Sequence, residues 1–428
     1  QFLIDYFSGT SSAKTDTSKN AVLLDLKVLN LNRVKIWQQD EWRGENMFAS
    51  LGHLNVHADK FDPENKIIQI GTVVLDKPVF SHYDYTGNRP VDTTTKVVAE
   101  VPDSSGLQWN TGQWHINVKN IVLKDGAVAI EREGKSYAAY NEFDERHIVL
   151  SELNGNFKNF EFINDTLKAN VSFAVKDRGG FVIKKLSADY KFTPKMMEFK
   201  NLDLITPDSH LKNYYAMHYD SFNDDMQDFV HTVRLEGRFE NSVLNSDALD
   251  YSAPETRSWK TKFLLNGTAK GKIDNLTAQK MIISAGENNY LDGDVSLRGL
   301  PDINETFIDF RSRELRTNYD ELARLITPLK DITTPNLKAL GNIKFVGSYT
   351  GFLLDFVTYG SLSTDLGVLQ TDLHMTIPDK GPASYQGKIS TNSFELGKFI
   401  DNYQLGKVAF DGKINGKGFN TNELNIGI

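Results

Sequence analysis

The sequence predicts an all-β protein built from many curved and mostly antiparallel strands. Apolar and polar residues alternate along extended stretches, as in Gly367 to Ile377, where Leu369, Leu373 and Met375 fall on one face. Glycine recurs on the apolar face of such stretches. Patterns with helical periodicity are scarce. One sheet face is therefore apolar, and too few helices are predicted to cover it.

The alternation returns along the chain from LKANVSFAVK (Leu167 to Lys176) to AFDGKINGKGF (Ala409 to Phe419). In HTVRLEGRFE, the polar side of the predicted strand is almost wholly charged. The apolar side of these strands consists of Leu167, Val171, Phe173, Val233, Leu235, Phe239, Phe263, Leu265, Leu369, Leu373, Met375, Phe410 and Ile414.

Glycines inside the strands and turn signals between them shape the predicted sheet. Glycine weakens a strand and marks bends or bulges, so the series in FLLNGTAKGKI (Phe263 to Ile273) predicts strong curvature. Four turn signals predict hairpins or bends and thus antiparallel neighbours. They are Asp125-Gly126, Arg178-Gly179-Gly180, Asp292-Gly293 and Asp411-Gly412.

Two short helices and five segments complete the predicted organisation. NYDELARLITPLK (318–330) has apolar residues at helical spacing, and DDMQDFVHTV (224–233) allows one helical turn. The predicted segments are a linker and leading strand (1–22), a sheet segment (23–80), a long loop or mobile excursion (81–113), a second sheet segment (114–218) and a third one containing the short helix (219–428).

Composition and motifs argue against several classes of function. The net charge is −8 and no basic block is present, which argues against nucleic acid as a partner. The chain has no cysteine and no phosphate-binding or nucleophile motif, and we expect neither an enzyme nor a cofactor. His53 and His57 lack a third ligand at matching spacing, so no metal is expected. Without a signal peptide or a spanning segment, the chain is interpreted as part of a longer protein.

The residues alone leave the destination of the apolar face open. It could pack against a second sheet in a sandwich, lie beneath helices, or close on itself as a barrel. A membrane barrel would turn the apolar face outward and place aromatic girdles at the strand ends. A sheet rolled into a U could instead expose its inner face to acyl chains.

Several stretches resemble the TamB branch of the AsmA-like family, in its long Bacteroidetes-type versions. They include YDSFNDDMQDFVHTVRLEGRFENS (219–242), GNIKFVGSYTGFLLDFVTYGSLSTDLGVLQTDLHM (341–375) and YQGKISTNSFELGKFI (385–400). The stretch from Leu265 to Asp309 is similar as well, and the resemblance is weaker before Tyr219. It implies a long, curved antiparallel sheet rolled into a U-shaped β-taco, which is a groove with an apolar interior and one or two short helices.

The resemblance also implies a function and a location. It implies a bridge in the Gram-negative periplasm that carries phospholipid to the outer membrane, anchored in the inner membrane through an N-terminal helix missing here. The alternative is a scaffold for outer-membrane protein assembly or translocation that works with a BamA-like barrel, TamA in the founding system. A structural β-rich surface protein is a third possibility. For the lipid bridge, the thirteen apolar residues named above are predicted to line the groove.

Overall fold

The computed structural model is nearly all β and contains a few short helices. It describes residues 28–89, 107–134, 136–144, 146–251, 256–257, 259–378, 380–418 and 425–427. The predicted linker (1–22) and most of the predicted long loop (81–113) lie outside the described residues. Ser81 to Asp84, however, belong to a strand, so that loop begins later than expected.

The strands are β1 (Val28–Asp40), β2 (Glu45–Asp62), β3 (Ile67–Asp76), β4 (Val79–Asp84), β5 (His115–Arg132), β6 (His147–Ile163), β7 (Thr166–Asp177), β8 (Val182–Thr193), β9 (Met196–Ile205), β10 (His210–His218), β11 (Arg234–Asn245), β12 (Lys262–Lys272), β13 (Asn275–Ala285), β14 (Asn289–Arg298), β15 (Phe307–Asn318), β16 (Asn342–Phe352), β17 (Asp355–Thr364), β18 (Gly367–Thr376), β19 (Ser384–Glu395), β20 (Lys407–Lys417) and β21 (Asn425–Gly427).

All these strands belong to one sheet in which neighbours in sequence are neighbours in space. From β5 to β21, each strand pairs antiparallel with the next one. β3 and β4 share one position between β2 and β5, and both run parallel to β5. At ~4.8 Å per step, the resulting twenty positions give a sheet roughly 90 Å long.

Short helices occupy the loops at the strand ends. They are α1 (Phe222–Asp225), α2 (Phe229–Thr232), α3 (Ser246–Asp250), α4 (Tyr319–Leu325) and α5 (Leu396–Phe399), with 3-10 turns at Met226–Asp228, Thr327–Asp331 and Leu337–Leu340. The predicted helix at 318–330 is confirmed as α4 followed by a 3-10 turn, and the Asn318 side chain accepts the Glu321 N–H at its start. The described residues form more helices than the one or two expected.

Bulges interrupt most strand pairs and bend the strands. In the β11–β12 pair the register shifts between Phe239 and Ser242, where Asn241 has a φ of 45°. The Asn241 N–H, which the bulge frees from the ladder, donates to the Asn266 side chain at 2.8 Å. Lys280 repeats this arrangement two strands further along, in β13, with a φ of 50° and an N–H that donates to Asp294 at 2.6 Å. Polar side chains of neighbouring strands thus stabilise the bends.

Three of the four turn signals, predicted to mark hairpins or bends, do not reverse the chain. Asp125-Gly126, Asp292-Gly293 and Asp411-Gly412 lie inside β5, β14 and β20. Asp125 is a bulge residue with a φ of 51°, and Gly412 lies beneath the Phe410 ring. Only Arg178-Gly179-Gly180 forms a turn, between β7 and β8. An Asp-Gly pair therefore marks local bending here more often than a chain reversal.

Candidate functional site

One face of the sheet carries a continuous row of uncharged, mostly apolar residues that crosses fourteen strands from β7 to β20. Residues directly opposite each other in a ladder lie on the same face, so the pairing register defines the row without ambiguity. We call this face the apolar face. The row consists of Ala169, Tyr190, Phe199, Tyr215, Gly237, Ala269, Ala278, Val295, Phe310, Tyr349, Thr358, Leu373, Gly387 and Ile414.

The opposite face is polar and charged at the adjacent positions. From β7 to β12 the corresponding row is Asn170, Asp189, Lys200, Tyr214, Arg238 and Thr268. From β14 to β20 it is Asp294, Arg311, Ser348, Tyr359, Asp372, Lys388 and Lys413. We call this side the outer face, because a charged surface of this kind is suited to water.

Twelve of the thirteen residues predicted from the sequence lie on the apolar face. Leu167, Val171 and Phe173 oppose Phe192, Ala188 and Leu186 of β8. The register also brings together Leu235, Phe239, Phe263 and Leu265 of β11 and β12, Leu369, Leu373 and Met375 of β18, and Phe410 and Ile414 of β20. None of the twelve is exposed, and Val171, Leu265 and Leu373 are buried.

Val233 is the exception. It precedes β11 by one residue, its N–H donates to the Phe229 carbonyl of α2, and its side chain is 0% exposed. Because its side chain is fully enclosed, a molecule lying on the apolar face cannot touch it in this conformation.

The apolar face is only partly covered. Ten of the fourteen residues of the apolar row are only half-buried. The densest buried cluster comprises only Ala169, Val171, Leu186, Ala188 and Leu202. Residues such as Phe239, Phe263 and Leu369 stay half-buried. In a sandwich of two packed sheets, facing residues of this kind would be inaccessible.

Loops from both ends of the strands fold over this face. At one end, the rings of Trp109 and Phe222 lie 4.8 and 5.5 Å from the ring of Phe192. At the other end, Trp259 packs on Phe263 at 5.8 Å, and Phe399 of α5 packs on Phe394 at 5.7 Å. The apolar face is therefore the floor of a trough whose two margins are lined by aromatic side chains.

Sequence reasoning missed several aromatic residues of this floor. Tyr190, Phe199 and Tyr215 pack against one another across β8 to β10 with tilted rings, whose centroids are 5.0 and 6.4 Å apart. Phe310 and Tyr349 continue the row on β15 and β16. A signal was present, because ADYKF and IDFRS alternate in the same way as the strands that were recognised.

The ionisable groups of the outer face form pairs that link strands. Asp203 of β9 accepts hydrogen bonds from Lys185 of β8, at 2.8 Å, and from His210 of β10. Lys185 and then His210 hold the pKa of Asp203 below its usual value of 3.8. His53, considered above as a metal ligand, instead bonds to the Asn32 side chain at 2.7 Å. In the described residues no group of three His, Asp or Glu side chains is arranged to hold a metal ion.

Shallow depressions lie on the outer face of the described residues. One of them, of about 530 Å³, is lined by Tyr290, Arg316, Lys344 and Asp365 among other residues at the ends of β13 to β17. Both of its cations are engaged, because Arg316 and Lys344 pair with Glu314 at 2.9 and 3.5 Å. The apolar row crosses fourteen strands and is the more extended feature.

Comparison with known proteins found no match. No protein-family model, no curated protein and no solved structure matches the chain. Among the described residues, none of the helices has the length and apolar character needed to cross a bilayer.

Proposed function

We propose that this protein carries phospholipid along its trough, as part of a periplasmic bridge from the inner to the outer membrane. The observation that carries the proposal is the fourteen-strand uncharged row, most of whose residues stay only half-buried. The resemblance of the sequence to TamB-type proteins supports the same function and location. The proposed partners in the parent protein are the two membranes and a BamA-like barrel.

Transfer of this kind needs a surface and no catalytic residue. Each acyl methylene exposed to water costs about 0.8 kcal/mol, so a two-chain lipid crossing bulk solvent faces a barrier of tens of kcal/mol. A continuous apolar floor removes most of that cost, since the acyl chains exchange one apolar contact for the next. The head groups remain at the open side of the trough, in water. Because the row is not interrupted by charge, no step along it requires an acyl chain to pass a carboxylate or an ammonium group.

Photo-crosslinking in cells tests the proposal. Met375 and His374 are neighbours in β18, and Met375 lies on the apolar face whereas His374 lies on the outer face and bonds to Asp355 at 2.8 Å. A photoreactive amino acid at position 375 should capture phospholipid, detected by mass spectrometry of the adduct, and the same residue at position 374 should not. Equal capture at both positions, or none at 375, would refute the lipid bridge.

One observation favours the assembly scaffold as a second candidate. In the described residues β1 pairs only with β2, and this edge strand exposes Ile36 and Trp37 at 62% and 74%. Such an edge can accept an extended polypeptide as an added strand. Polypeptide adducts in place of lipid at position 375 would favour this function.

A further inference from the structure

Two tyrosines on the floor of the trough differ from Tyr349 and Tyr385 of the same face in the hydrogen bonding of their hydroxyl groups. Tyr190 and Tyr215 flank Phe199 in the apolar row. Their hydroxyl groups have no hydrogen-bond partner among the described residues, and neither oxygen belongs to the fully enclosed polar atoms. Each hydroxyl group therefore keeps at least a small exposed surface.

The other tyrosines of this face bond to the protein itself. Tyr349 donates to the carbonyl oxygens of Phe352 and Leu353 at 2.8 and 3.1 Å. Tyr385 donates to the Gly418 carbonyl at 3.2 Å. The fold thus provides acceptors for the floor hydroxyl groups of β16 and β19, whereas the described part of the chain provides none for those of β8 and β10.

The surroundings of Tyr190 and Tyr215 are apolar. The ring of Phe192 stacks on Tyr190 at 6.2 Å, and the tilted ring of Phe199 lies 5.0 Å from it. Phe199 is also the aromatic neighbour of Tyr215 at 6.4 Å. Burial raises the pKa of Tyr215 to about 12 and raises that of Tyr190 further, so both remain neutral donors. Phenylalanine occupies the neighbouring floor positions, which means that packing alone does not demand a hydroxyl group there.

The two tyrosine hydroxyl groups limit which cargo can favourably displace the water bound to them. In an empty trough each hydroxyl group can bond to water. A purely hydrocarbon cargo would remove that water and leave a buried donor unsatisfied, which is unfavourable. A cargo with a carbonyl oxygen beside its hydrocarbon chain satisfies the donor and fills the apolar surroundings at the same time. Acyl esters of glycerol have this chemistry, because the ester carbonyl adjoins the chain and can only accept.

We propose that Tyr190 and Tyr215 donate hydrogen bonds to the ester carbonyl groups of the lipid in the trough, so that the site selects diacyl esters over ether-linked lipids. This inference rests on the proposed lipid transport. It makes β8 to β10 a place where the glycerol ester region of the cargo is held, whereas the remaining floor contacts acyl chains alone.

The test compares two phosphatidylcholines that are matched in chain length and differ only in ester or ether linkage. Each is offered in vesicles to the full chain, and bound lipid is quantified by native mass spectrometry. The variants are Tyr190→Phe, Tyr215→Phe and the double variant. Tyr349→Phe is the matched control, because it removes a hydroxyl group that already has protein acceptors.

We expect the wild-type protein to prefer the ester lipid about two- to ten-fold, the range that one neutral hydrogen bond supports. The double variant should bind both lipids equally, while Tyr349→Phe keeps the preference. Equal binding of both lipids by the wild type, or a preference that survives in the double variant, would overturn the inference and leave lipid transport intact. Failure of the wild type to bind either lipid would instead refute the proposed function.

Discussion

An aspartate placed on the apolar face distinguishes an open trough from a closed core. Leu369 and Val368 are neighbours in β18, and they lie on opposite faces of the sheet. Leu369 opposes Leu362 and is half-buried, whereas Val368 is 46% exposed on the outer face. Comparing Leu369→Asp with Leu369→Ala isolates the cost of the charge, since both variants lose the leucine side chain.

The magnitudes follow from the burial of Leu369. Complete burial of a leucine contributes about 1.5–3 kcal/mol, so Leu369→Ala should cost about 1–2 kcal/mol. In an open trough the carboxylate of Leu369→Asp reaches water, and the extra cost is the poor strand propensity of aspartate, about 1 kcal/mol. In a closed core, an unpaired charge would add about 3–5 kcal/mol more.

Hydrogen exchange of peptides from β17 and β18 in the lipid-free protein measures these differences as local opening free energies. A local measurement is needed because a long sheet of repeated strands does not unfold in one two-state step. The difference in opening free energy between Val368→Asp and Val368→Ala measures the cost of the poor strand propensity of aspartate on the outer face. If the Asp–Ala difference at position 369 exceeds that at 368 by more than about 2 kcal/mol, the reasoning for an open trough fails.

Two further perturbations test the devices that shape the sheet. Asn266→Ala removes the acceptor of the Asn241 N–H at the β11–β12 bulge, and we expect a loss of about 1–2 kcal/mol in local stability, read from faster exchange of the β11 amides; unchanged exchange would show that water replaces the side chain. The lowered pKa of Asp203 means that its stabilising contribution is complete above about pH 4 and is lost as the pH falls through the folded-state value. Exchange of β8 to β10 measured down the pH scale should show this loss, and Asp203→Asn should remove that step; a variant that keeps it would assign the pH dependence elsewhere.

The sequence predicts the strands well because their signal is local. A period of two depends only on neighbouring residues, and LKANVSFAVK is β7 almost to its ends. At bulges, the same alternation no longer predicts which face a residue lies on. In β9, Phe199 and Leu202 both contribute to the apolar face although they are three residues apart, because Asn201, with a φ of 52°, absorbs the extra residue. The alternation then changes phase, and the apolar side can no longer be read from the sequence.

Other features depend on contacts between distant segments. The parallel pairing of β3 and β4 with β5 joins strands separated by a long connection, and no local pattern encodes such a register. The alternation also does not show whether a floor tyrosine is satisfied, because that depends on the course of the chain beyond the strand: the acceptors of Tyr349 lie three and four residues further along. Tyr349 and Tyr215 both alternate with polar neighbours, yet only Tyr349 finds backbone carbonyl groups within reach. The sequence therefore predicts that an apolar face exists, and the structure is needed to find its donors.

The floor of the trough changes character along the sheet, and the same residues set its curvature. Across β8 to β10 it is filled by aromatic rings, whereas a parallel row from β14 to β17 consists of Gly293, Ser312, Gly347 and Gly360. A Cβ atom on Gly347 would lie 2.1 Å from the Tyr359 carbonyl oxygen, and one on Gly360 would lie 2.2 Å from that of Val346. Close strand approach thus demands glycine at these two positions, where φ is 156° and 146°. Because these glycines have no side chain, they permit the bend and also leave the floor smooth between the flanking rows that contain Val295 and Leu291. The glycines therefore account for both the curvature and the continuity of the apolar path.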